Sequence, residues 1–81
     1  MNKTRLAKII KIANKIIDID NALDEILATE QKSRDNTPES LMTTDRYRNT
    51  ERAIGELENA SQGVADVKIA LQKIIDNKYD Y

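Results

Sequence analysis

Lys8-Ile9-Ile10-Lys11-Ile12-Ala13-Asn14-Lys15-Ile16-Ile17-Asp18-Ile19-Asp20-Asn21-Ala22-Leu23-Asp24-Glu25-Ile26-Leu27 carries more structural information than any other run in the chain. Its Ile9, Ile12, Ile16, Ile19, Leu23 and Ile26 follow one another by alternating steps of three and four, the heptad a and d spacing of a helix that packs against helices. Leu6, Ala13 and Leu27 share the position beside this seam, and Ile10 and Ile17 lie further round the same side. At about 100° per residue the apolar face spans roughly 160°, more than one partner helix covers. The spacing predicts an all-α fold, an antiparallel two-helix hairpin that assembles into an oligomeric helical bundle. Ile9, Ile12, Ile16, Ile19, Leu23, Ile26, Ile10 and Ile17 are the expected oligomer interface.

Composition points the same way. A chain of 81 residues forms one domain and buries only roughly 60–65% of the surface it exposes when unfolded, so its own core is marginal. It has no Cys for a disulfide and no Cys or His for a zinc site, which leaves association as the source of further burial. Phe and Trp are absent as well, so the core is built from Ile, Leu, Val and Ala. Thirteen basic and fourteen acidic residues nearly cancel, which argues against general affinity for nucleic acid or membrane. No apolar run approaches the roughly 18 residues of a membrane span, and the N-terminus lacks the pattern of a secretory signal. The expectation is a cytoplasmic protein, and the Asn2-Lys3-Thr4 glycosylation pattern is then accidental.

The first helix is expected over about residues 4–30, capped by Asn2 or Thr4. Lys3, Arg5, Lys8, Lys11 and Lys15 make its first half basic, and Asp18, Asp20, Asp24, Glu25 and Glu30 make its second half acidic. That order opposes the helix macrodipole, at about 0.3–1 kcal/mol per badly placed terminal charge. Two readings stand: an antiparallel copy of the same helix sets basic half against acidic half twice by two-fold symmetry, or the charges are a solvated face. Asp20, beside the seam, is expected at the solvated edge of the apolar stripe; buried, it would require a basic partner.

Residues 31–37 turn polar and are expected to form the loop. Thr37-Pro38-Glu39 is a good helix start, with Thr as N-cap and Pro at the first helical position. Leu41 and Met42 miss the stripe that follows, and Thr43-Thr44-Asp45 offers a second cap. A short turn over about 38–42 and then a helix over about 44–77 is the expectation, with an unbroken helix from Pro38 as the alternative. Tyr47, Ile54, Leu57, Val64, Leu71 and Ile75 form the second seam, with Ala53, Ala60, Val67 and Ile74 on the neighbouring position. Gly63, near the stripe, suggests close packing of a facing helix; the sequence gives no reason for Gly55. The tail from Asn77 to Tyr81 either frays or docks through its tyrosines.

Chemistry is sparse. Carboxylate pairs such as Glu51 with Glu58 or Glu56 with Glu58 are ordinary on a charged helix, so the expectation is no enzyme and no catalytic residue. No spacing resembles a calcium loop or a di-metal carboxylate site, and no cofactor or metal is expected. The sharpest cluster is Arg46, Tyr47, Arg48 and Arg52 near a helix N-terminus, with Lys32 and Arg34 from the loop before it. Arginine forks and free N–H groups suit an anion and Tyr47 suits a base, so these six are the candidate ligand site. The structural reading pairs Arg48 with Glu51 and Arg52 with Glu56 and lets Tyr47 end the core stripe.

Arg48-Asn49-Thr50-Glu51-Arg52-Ala53-Ile54-Gly55-Glu56-Leu57-Glu58-Asn59-Ala60 resembles the second-helix motif of a family of small phage helical-hairpin proteins. In that motif an Arg is followed by an Ala and then by Leu-Glu-x-Ala, matched here by Arg48, Ala53, Leu57, Glu58 and Ala60. The family includes sponges that sequester the cyclic nucleotide signals of CBASS and Thoeris defences. The resemblance implies a non-enzymatic oligomer binding an anionic nucleotide between subunits. Gln62-Gly63-Val64 stand where many members carry a bulky aromatic, and no motif places first-helix ligand residues. The other reading is a structural or protein-interaction helical module, a phage inhibitor or adaptor, whose apolar face takes a protein partner.

Overall fold

The computed structural model describes residues 2–77: helix α1 over Lys3–Asp35, a short 3-10 turn over Glu39–Leu41, and helix α2 over Asp45–Asn77. The two 33-residue helices lie side by side in a rod of 61 × 15 × 15 Å. Among the described residues no helix is long and apolar enough to cross a membrane. The tyrosine tail, residues 78–81, lies outside the described residues.

Local chemistry sets the ends. Asn2 caps α1, its side-chain oxygen accepting from the Arg5 amide at 2.8 Å. The helix passes its expected end at residue 30 and continues through Asp35, correcting the assignment of 31–37 to the loop. Glu30, Gln31 and Arg34 keep the heptad spacing and are half-buried, and Lys32 and Arg34 stand in the last turn where cations suit the dipole. Thr37 does not act as an N-cap: its hydroxyl donates to the Ser33 carbonyl at 3.0 Å and helps to close α1. Pro38, at φ −60° and ψ 145°, leads into the 3-10 turn. Thr44 is the working cap of α2. Its hydroxyl donates to the Leu41 carbonyl at 2.7 Å and accepts from the Tyr47 amide at 3.2 Å.

The α2 seam is the expected one: Tyr47, Ile54, Leu57, Val64, Leu71 and Ile75 are all half-buried or buried. The α1 seam is rotated from the expected one. Leu6, Ile9, Ala13, Ile16, Asp20, Leu23 and Leu27 turn inward, while Ile12, Ile19 and Ile26 stay 48, 47 and 51% exposed. The helices meet along alternating three and four steps on both, the knobs-into-holes geometry of an antiparallel pair. Two cross-helix bonds fix the register and explain the rotation. Lys68 Nζ donates to Asp20 Oδ2 at 3.0 Å, and Ser61 Oγ donates to Asp24 Oδ1 at 3.1 Å. With Asp20 level with Lys68 and Asp24 with Ser61, Ile19 lies level with Val67 and Ile26 with Ala60.

Asp20 is therefore no solvated edge residue; its side chain is only 14% exposed and it has the basic partner that burial demands. The core is thin: among the described residues only Ala13 and Ile54 are buried, and neither is fully enclosed.

Candidate functional site

The six candidate ligand residues divide by helical position. Arg46 lines an open groove on one flank with Ile26, Glu30, Asn49, Thr50, Ala53, Glu56, Leu57 and Ala60. It also lines a recess beneath the loop, with Ser33, Asn36, Thr37, Thr44 and Tyr47. Tyr47 begins the α2 seam and is half-buried. Its pKa is raised above the usual 10.0, chiefly by a hydrogen bond to Glu51, with partial desolvation and the Glu51 charge adding and Arg34 opposing. Arg34 therefore stands near Tyr47, and it also pairs with Asp35 at 3.2 Å.

Arg48 and Arg52 lie elsewhere. Both are exposed, and at about 100° per residue they point roughly 100° or more away from Arg46, onto the outer side of α2. Arg48 pairs with Asp45 at 3.4 Å and not with Glu51, and among the described residues Arg52 forms no ion pair with Glu56. Lys32 is exposed on the outer side of α1. The structure thus brings Arg46, Tyr47 and Arg34 to one end of the rod and separates Arg48, Arg52 and Lys32 from them. Arg46 shares its groove with Glu30 and Glu56, so the groove is not uniformly positive. Among the described residues no group of His, Cys, Asp or Glu is placed to hold a metal ion.

The larger feature is apolar. Ile12, Ile19 and Ile26 recur every seven residues along one flank of α1, and Ala53, Ala60, Val67 and Ile74 do the same along the adjoining flank of α2. The outer neighbours of this strip are small at mid-length, Ala22 on α1 and Gly63 and Ala70 on α2, with Lys15 and Glu56 at the equivalent positions one heptad earlier. A Cβ added at Gly63 or Gly55 meets nothing within 4 Å, so close packing inside the hairpin is not the reason for either glycine. The opposite flank carries Ile10 and Ile17, with Ile69 beside Ile17. Of the eight residues expected at an oligomer interface, Ile9, Ile16 and Leu23 belong to the hairpin's own seam. Ile12, Ile19 and Ile26 lie on one flank, Ile10 and Ile17 on the other. The sequence contained the signal for this division, a face too wide for one helix, but not which residues each partner takes.

No family model, no curated protein and no solved structure matches the chain.

Proposed function

We propose that this chain is a non-enzymatic interaction module that works as a homo-oligomeric helical bundle, docking helices against the flank lined by Ile12, Ile19, Ile26, Ala60 and Val67. The observation that carries this reading is that strip: three isoleucines at heptad spacing, each about half exposed, beside Ala60 and Val67, the latter 46% exposed. Side chains of this kind gain about 1.5–3 kcal/mol each on full burial, and the hairpin alone leaves about half of that gain unused. Mass in solution by sedimentation, with identification of anything that co-purifies, is the test. Oligomers support the reading, and a monomer ordered only by a different protein overturns its homo-oligomeric form. A stable, well-folded monomer at all concentrations refutes it.

A second reading rests on Arg46 lining both openings at the loop end. There the oligomer acts as a sponge for a cyclic nucleotide that signals host defence, its phosphate held by Arg46 with Arg34 and its base against Tyr47. A bound nucleotide at one hundred times its dissociation constant stabilises the fold by about 2.7 kcal/mol. A panel of cyclic di- and trinucleotides and ADP-ribose derivatives that leaves the melting temperature flat refutes it, and loss of any shift in Arg46→Ala assigns the site.

A further inference from the structure

Resting on the oligomeric reading, the geometry points to a specific occupant of the Ile12/Ile19/Ile26 flank: a second copy of this chain, related by a two-fold axis that crosses the rod at Ile19, so that α1 packs antiparallel on α1 and α2 antiparallel on α2. Surface area makes room for it. The chain exposes 6206 Å², whereas a compact monomer of 9.2 kDa exposes about 4,900 Å². The excess, roughly 1,300 Å², exceeds the about 800 Å² that each partner contributes to a standard stable interface.

The strip is self-complementary about that axis. Ile19 is the middle residue of both the isoleucine row and the 33-residue α1, so the two-fold sets Ile12 against Ile26 of the second copy and Ile19 against itself. Val67, level with Ile19, then meets Val67 of the second copy, and the large Ile74 meets the small Ala60. Gly63 comes opposite Ala70, giving Gly63 the close approach that it lacks inside the hairpin.

Charge selects this axis over the other two-fold that would stack the same faces. Lys11, Lys15, Asp18 and Glu25 are all exposed, and among the described residues none forms an ion pair. With the axis crossing the rod, Glu25 of the second copy falls level with position 13, between Lys11 and Lys15, and symmetry repeats the contact. With the axis along the rod, α1 would lie on α2 of the second copy. Lys73 would then fall between Lys11 and Lys15, like charge on like charge.

A charge-swap pair tests it at low ionic strength, where exposed charges are least screened. Lys11→Glu with Lys15→Glu places acid against Glu25, and Asp18→Lys with Glu25→Lys places base against Lys11 and Lys15. Each variant alone dimerises about tenfold or more weakly, and an equimolar mixture recovers a heterodimer near the wild-type affinity. Recovery on mixing also shows that both variants fold. Because the chain has no cysteine, Ile19→Cys provides a second reading: oxidation gives a covalent dimer only if the two residues meet at the axis. A wild-type oligomer in which mixing restores nothing and Ile19→Cys does not cross-link overturns this geometry while leaving the oligomeric reading intact. A wild-type chain that stays at 9.2 kDa overturns both.

Discussion

Lys68→Met should destabilise the hairpin more than Asp20→Leu does, although the two substitutions break the same bond. At 3.0 Å, two unit charges attract by about 5 kcal/mol at an effective dielectric near 20. Most of this is offset by the hydration Asp20 gives up inside the seam, leaving a net contribution on the order of 1–2 kcal/mol. The partners are unequally placed: the Asp20 side chain is 14% exposed and that of Lys68 is 41% exposed. Without Asp20, the Lys68 ammonium swings into water on its flexible stem, and the loss is about 1 kcal/mol or less. Without Lys68, the carboxylate is held in the seam unpaired, at a cost of about 2 kcal/mol or more. Combining Asp20→Leu with Lys68→Met removes both charges from an apolar layer and should restore stability to near that of the parent. Urea unfolding at one fixed protein concentration reads all four corners of the cycle, the concentration being held because association adds to apparent stability. Equal losses for the single variants, or a coupling energy below about 0.3 kcal/mol, would refute the seam pair as the element that sets the register.

Gly55→Ala should raise the melting temperature, since an added Cβ meets open space and the helix gains up to about 1 kcal/mol. Thr44→Ala should cost about 1 kcal/mol by removing the cap that accepts the Tyr47 amide, seen as a lower urea midpoint with unchanged slope. Ile54→Ala, at the most enclosed side chain in the seam, should cost about 2–5 kcal/mol; a loss below 1 kcal/mol would mean that the helices do not meet there. Tyr47 should titrate above 10.0. Because its folded pKa is raised, the stability linked to its proton is fully present below the unfolded value and fades as pH rises through the folded one. Spectrophotometric titration in a Tyr79→Phe/Tyr81→Phe background checks this, and Glu51→Ala should return the transition toward 10.0.

The hairpin, the two-step loop with its Thr44 cap and the α2 seam were legible because each depends on local pattern: heptad spacing, Pro38, and a hydroxyl before Asp45. The α1 seam was legible only in half. The heptad through Ile12, Ile19 and Ile26 and the heptad through Ala13, Asp20 and Leu27 share Ile9, Ile16 and Leu23. Counting apolar residues favours the first. The chain adopts the second because α2 offers Lys68 to Asp20 and Ser61 to Asp24, a match between distant positions that periodicity within one helix does not contain. The arginine cluster was compact in sequence and scattered in space for a different, local reason that helix periodicity does contain. Arg46 and Arg48 are two residues apart, which on a helix turns them to different sides.

That division of residues has a consequence for stability. The seam holds an aspartate, a lysine and a serine, and the flanks hold Ile12, Ile19, Ile26, Ile10, Ile17 and Ile69. A chain selected to stand alone would be expected to place these sets the other way round, because a polar layer inside a two-helix seam weakens it and exposed isoleucines add nothing to it. The arrangement is favourable once a second surface covers a flank: the polar layer then fixes alignment within each hairpin, and the isoleucines supply the burial between hairpins. Folding and association should therefore be coupled, with a melting temperature that rises with protein concentration. Replacing Ile12 and Ile26 with Ser should lower the melting temperature steeply at high concentration and only slightly in dilute solution. If the loss is the same at both, the isoleucines act within the hairpin and the flank is not an interface.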